Sequence, residues 1–252
     1  MSRIDRSRLP EPGPDPSFRL PAIARRTLAN GLEVLALEHR SVPVVSFVAN
    51  IAGGLGADPP GRDGLAALTA DLLDEGIDGM SALEVSNALS RIGADYDVDV
   101  GSDITQLSLT TLARFASRGS ALLARLLSAP DLREADVDRV RQLRLDRLRQ
   151  MRDVPGAVAE RVYLRQIYGA HPYGHLPIGD EAGLVASSID DVHRCYASTF
   201  SPARTSLVVV GAFSHDELFR IVEDAFGGWE VAAGTANGGT RAESVAVHTP
   251  RA

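Results

Sequence analysis

The sequence predicts an α+β fold, with a largely antiparallel sheet covered on one face by helices. Three observations carry that expectation. Asn30-Gly31 sits between two apolar runs, a short-range hairpin signal. Residues 94–100 (ADYDVDV) and 104–112 (ITQLSLTTL) each alternate with a period of two and are separated by a short turn at 101–103. The element order is three strands, two helices, two strands, several helices, one strand and one helix, which is not the strict alternation of a parallel βαβ sheet.

Bulk composition is compatible with a packed domain. The chain has 252 residues, 44% hydrophobic and 23% charged, close to the globular average. Formal net charge is −7. Most arginines are interleaved with Asp and Glu, so no nucleic-acid footprint is expected. The run RVRQLRLDRLRQMR (139–152) reads as a solvated helix face. The single cysteine, Cys195, excludes a disulfide within the chain and a cysteine-based zinc site. No apolar run approaches the length of a membrane span, and no leader is visible at the start. The default expectation is a soluble, cytoplasmic protein.

Residues 1–22 are rich in proline and charge and read as an extended arm. A domain is expected over 23–230, and residues 231–252 have linker composition, as if leading to a second domain. Within the domain, 25–40 reads as a hairpin centred on Asn30-Gly31, and 41–54 as a third, β-branched strand ended by glycines. Gly64 to Gly76 reads as the first helix, because Leu65, Leu68, Leu72 and Leu73 form one apolar stripe. Ser81 with Glu84 three residues on is a capping box that starts a second helix, ending at Gly93. The alternating hairpin follows, with acids on a wet face. Helices are then expected over 113–152, broken near Ala129-Pro130, and over 155–168, with Pro155 in the first turn. Residues 169–179 read as a loop, 188–200 as a helix capped by Ser188, 204–213 as a buried strand, and 214–229 as a helix ending at Gly227-Gly228.

With these pieces in this order, the chain resembles the M16 family of zinc peptidases: the insulinase, pitrilysin and mitochondrial processing peptidase group. The resemblance runs from about residue 25 to 229. It is carried by TLANGLEVLALEHRSVPVVSF, GGLGADPPGRDGLAALTADLLDEG and IGADYDVDVGSDITQLSLTTL, then by RQMRDVPGAVAERVYLRQIYGAHPYGHLPIG and TFSPARTSLVVVGAFSHDEL. Catalytic members carry His-x-x-Glu-His on the helix after the glycine-rich loop. Two histidines at i and i+4 share a helical face and bind one zinc, and the intervening Glu activates its water. A distal Glu, just before an Asp-x-Pro, is the third ligand.

Set on that pattern, Gly64-Leu65-Ala66 places Ala67 and Asp71 at the histidine positions and Ala70 at the glutamate position. The distal ligand falls on Arg147, counting back from Asp153-Val154-Pro155, with Asp146 beside it. Two methyl groups and a fixed cation supply no lone pairs, so no zinc and no other cofactor is expected. The resemblance also implies that Ala94, Asp95, Tyr96, Asp97 and Val98 belong to an edge strand that takes an extended peptide as an added strand. The alternative reading of that strand is an edge blunted by acids.

The function implied is a non-catalytic M16-like domain, partner to a catalytic M16 subunit or to a second copy of itself, helping to form a peptide-binding chamber. Two alternatives stand beside it. One is an active zinc metalloendopeptidase with unusual ligands drawn from Asp71, Asp74, Glu75 and Asp146. The other is a purely structural subunit, like the degenerate core subunits of a respiratory complex.

Other side chains point to less. His171 and His175 are four apart, but Pro172 and Gly174 prevent a helix from presenting them together. His39, His193, His215 and His248 have no partners at useful spacing. Cys195 and His193 fall on different sides of a helix, which argues for a buried thiol rather than a dyad. No nucleophile elbow, P-loop or dinucleotide fingerprint occurs.

Overall fold

A computed structural model describes residues 21–230, together with Gly13 and Ser17. All but a few residues of the expected arm, and the whole expected tail (231–252), lie outside the described residues.

The sheet has six strands: β1 (Ile23–Thr27), β2 (Glu33–Glu38), β3 (Val44–Ala52), β6 (Asp95–Val100), β7 (Ile104–Leu112) and β8 (Thr205–Gly211). Their spatial order is β1-β2-β8-β3-β7-β6. Four of the five pairings are antiparallel; β2 and β8 run parallel, with Val34 opposite Leu207. The last strand in sequence therefore lies at the centre of the sheet, as its unbroken LVVV run requires.

Burial alternates residue by residue. On β3, Val45, Phe47, Ala49 and Ile51 are fully buried, whereas Val44, Ser46, Val48 and Asn50 are half-exposed. The buried face packs under α3 (Ala116–Ser128) and α8 (His215–Phe226), giving a core that includes Leu123, Leu127, Leu218 and Phe226. The opposite face carries no helix of this core, and Asp95, Asp97 and Asp99 of β6 lie exposed on it.

The first hairpin forms where expected but with a longer turn. Residues 28–32 connect β1 and β2, and Leu28 and Leu32 are joined by a main-chain hydrogen bond. Gly31 alone takes a positive φ, +91°. Asn30 is selected by its side chain instead: its amide donates to the carbonyls of Phe226 and Trp229, at 2.8 and 3.0 Å. The turn is thereby tied to the end of α8.

Helix α1 (Leu65–Asp71) stops a turn earlier than the leucine stripe suggests. Leu72 and Leu73 continue as tight turns and drop fully into two different cores. A two-residue hairpin then follows, β4 (Gly76–Ile77) with β5 (Met80–Ser81), that sequence periodicity did not show. Helix α2 (Ala82–Arg91) has the expected capping box. After α3 come α4 (Glu134–Met151), α5 (Pro155–Tyr168), a short α6 (Glu181–Ala186) capped by Asp180, and α7 (Ile189–Thr199) with its Ser188–Asp191 capping box. Leu65, Leu68 and Leu72 of the α1 segment meet Val140, Leu145 and Leu148 of α4, with Leu184 and Val192, in a second core. This core fixes α1 beside α4 at the β6 edge of the sheet.

Candidate functional site

Every residue from Leu65 to Ala70 is buried, so α1 has little freedom to move. Its start is held from a distance. Gly64, at φ +99°, offers no side-chain cap. Asp58, six residues upstream, accepts the main-chain N–H of Gly64 through Oδ2 and that of Ala66 through Oδ1, both at 2.7 Å. Those are donors that a helix start leaves free. Asp58 is 7% exposed, and burial raises its carboxyl to about 6 even against these two donors. His175 stands behind it, with Nε2 3.7 Å from Asp58 Oδ2 and Nδ1 against the Leu176 carbonyl. Sequence reasoning missed Asp58, because its caps span six and eight residues instead of the usual two or three.

A cleft of about 630 Å³ opens between α1, α4, β6 and residues 176–178. Ala67, Asp71 and Arg147, three of the four positions inferred from the zinc pattern, line it together. Ala70 does not; its methyl is fully buried against Ala66, Ala67 and Val100. One face of α4 forms the opposite wall, with Val140, Leu143, Arg144, Arg147 and Met151 at helical spacing. Tyr96, Asp97, Val98 and Asp99 of β6 complete the rim. Strand β6 pairs with β7 on one side only and is the edge of the sheet. Ala94 lies outside the strand: its N–H is bonded to the Leu89 carbonyl at the end of α2, so its main chain turns away before the ladder begins.

The electrostatics of the cleft centre on a pair that the sequence did not reveal. Arg144 Nε and Nη2 donate to Asp71 Oδ2 at 2.8 and 2.7 Å. The arginine side chain is only 13% exposed, and the pair bridges α1 to α4. The available signal was spacing: Arg144 lies one turn before Arg147 on the same helical face. Glu75 is held by Arg139. Burial, with Glu75 next, raises the Asp74 carboxyl above its usual range. The Tyr96 hydroxyl is buried and has no hydrogen-bond partner among the described residues. Burial first, then the nearby Asp74 and Asp71 carboxylates, push it far above the ordinary phenol range, so it remains a proton donor.

A catalytic zinc needs three protein ligands with lone pairs and one open position. Ala67 and Ala70 offer methyl groups, Arg147 is a cation, and the Asp71 carboxylate is engaged by Arg144. This donor set does not fit zinc. Asp146, the remaining candidate, does not line the cleft and binds Arg149 and Gln142 instead. Among the described residues, no three His, Cys, Asp or Glu side chains are grouped so as to hold a metal ion. Elsewhere, His171 caps the turn at Tyr173, and burial raises the Cys195 thiol. Among the described residues, no helix is long and apolar enough to cross a membrane.

Comparison with known proteins places this geometry. Residues 187–250 match the family model described as the peptidase M16 inactive domain. An uncharacterized zinc protease of Streptomyces coelicolor is 22% identical over 204 residues, covering 81% of this chain and 44% of the relative. The chain is thus similar to M16 peptidases in sequence and in fold. A second relative, YmxG of Helicobacter pylori, is named a non-peptidase homolog; it is 20% identical, covering 76% of this chain and 44% of the relative. The crystal structure of a peptidase M16 inactive domain from Pseudomonas fluorescens superposes with a TM-score of 0.79 at 21% identity, covering 86% of this chain and 53% of that one. The M16 fold is thus shared, and the chain spans about half the length of the curated relatives it matches.

Proposed function

We propose that this chain is a non-catalytic M16 domain that holds an extended peptide beside an active M16 zinc-protease subunit. One observation carries the reading. The resemblance puts Ala67, Asp71 and Arg147 at the zinc-ligand positions and Ala70 at the general-base position, and Ala67, Asp71 and Arg147 line an open cleft beside an unpaired edge strand. Main-chain groups do the work of strand addition, so a peptide can pair with β6 without any metal. The family relatives named as zinc proteases supply the chemistry that a partner would contribute, and the non-peptidase homolog of Helicobacter pylori supports a non-catalytic role.

The test combines metal analysis with peptide titration. Purified chain is offered excess zinc, dialysed, and measured by mass spectrometry, then titrated with an unstructured peptide by calorimetry. The expected result is zinc far below one per chain, no cleavage by the chain alone, and measurable peptide binding. One tightly held zinc per chain would overturn the non-catalytic reading and return Asp71, Asp74 and Glu75 as ligand candidates. Absence of peptide affinity, both alone and with a catalytic M16 subunit, would favour a purely structural subunit.

A further inference from the structure

The arginines of α4 and its two flanks are almost all neutralised. Arg133 pairs with Asp136, Arg139 with Glu75, Arg141 with Asp138, Arg144 with Asp71, Arg149 with Asp146, and Arg152 with Glu181. Arg147 alone in this segment has no carboxylate within 4.0 Å among the described residues, and it stands on the wall of the cleft. Its guanidinium is a fixed cation with a planar fork of donors, matched to a carboxylate.

We infer that Arg147 receives the free C-terminal carboxylate of a peptide lying along β6. The inference rests on the peptide-binding reading above and names the peptide class: chains that end in the cleft, as the products of a protease do. Charge arrangement selects this occupant. Two of the acids lining the cleft are already committed, Asp71 to Arg144 and Glu75 to Arg139, and burial raises the carboxyl of a third, Asp74, above its usual range. Asp97 and Asp99 belong to the exposed face of β6. These acids, with Glu160 on the rim, disfavour a small free anion, which has nothing else to hold it. A peptide carboxylate is different, because strand pairing with β6 supplies the affinity that carries it past them. The buried Tyr96 hydroxyl, a proton donor without a partner among the described residues on the β6 side of the cleft, offers a second donor to a carbonyl or carboxylate oxygen of the peptide end.

The experiment titrates the full chain with one ten-residue extended peptide in two forms, free acid and C-terminal amide. A charge-assisted fork predicts about tenfold to a hundredfold tighter binding of the acid. Arg147→Gln should bring the acid down to the affinity of the amide and leave the amide unchanged. Arg147→Lys, which keeps the charge but loses the fork, should fall between. Thermal melting of each variant checks that the exposed substitution leaves the fold intact. Equal affinity for acid and amide overturns this inference and leaves the peptide-binding reading standing. So does an acid preference that survives Arg147→Gln. Binding of neither form overturns both.

Discussion

Asp58 provides a sharp test of how the candidate site is positioned. Two forces compete on its carboxyl. Burial favours the neutral form, and the N–H groups of Gly64 and Ala66, both at 2.7 Å, favour the charged one. The balance raises the group from 3.8 to about 6, so the folded chain holds this proton more tightly than the unfolded chain. The sign follows from linkage. The contribution is fully present below pH 3.8 and is lost as pH rises through 6. At about 1.4 kcal/mol per unit, the loss approaches roughly 3 kcal/mol between pH 3.5 and 7. Asp58→Asn cannot titrate and keeps one acceptor. Urea unfolding of both proteins across this range isolates the group, because the other titrations cancel in the difference. Wild type should lose about 3 kcal/mol relative to the Asn variant as pH rises, with unchanged m-values. A flat difference would mean that the two donors only balance burial, and one of opposite sign that they outweigh it and hold the helix start by an ionised cap. Asp58→Ala leaves both donors without an acceptor and should cost about 2–5 kcal/mol at any pH.

Three further outcomes are expected. A double-mutant cycle on Asp71→Ala and Arg144→Ala, measured by chemical unfolding, should give a coupling of about 1–2 kcal/mol, because the guanidinium is mostly buried; a coupling within error of zero would remove the pair as a tie between α1 and α4. Phe47→Ala, at a fully buried position in the main core, should destabilise by about 3–5 kcal/mol, and a loss under 1 kcal/mol would contradict the packing described. The combined variant Ala67→His, Ala70→Glu, Asp71→His and Arg147→Glu should gain stoichiometric zinc by mass spectrometry once Arg144 is also made Ala. Zinc uptake by the wild type under the same conditions would refute the ligand assignment.

Much of the sheet was legible because its evidence is local. Alternation over 94–100 and 104–112 comes from side chains two apart, and it placed β6 and β7 with the acids outward. Capping residues at Ser81 and Ser188 fixed two helix starts through residues three apart. What stayed hidden was longer in range or too short to have a period. The parallel pairing of β8 with β2 joins Ser206 to Glu33, which no local pattern encodes. Strands β4 and β5 have two residues each, and α6 has six, less than two full turns. In the candidate site, the resemblance picked out Ala67, Asp71 and Arg147, which line one cleft, but not Arg144. Its partner lies 73 positions away, and only the packing of α1 on α4 brings the two together.

That contact gives the cleft a physical logic. A metal held between α1 and the distal-ligand helix does two things: it supplies chemistry, and it ties the helices together across the mouth of a cleft. An ion pair can do the second without the first. Here α1 supplies the Asp71 carboxylate and the facing turn of α4 supplies the Arg144 guanidinium, so an ion pair joins the two helices at 2.7 Å. Apolar packing of Leu65, Leu68 and Leu72 against Val140, Leu145 and Leu148 supports it from behind. The pair ties α1 to α4 beside the open edge of β6. It also uses Arg144 rather than Arg147. One guanidinium is spent on structure, and the next one along the helix is left facing the cleft. An arrangement that served stability alone would gain from pairing both.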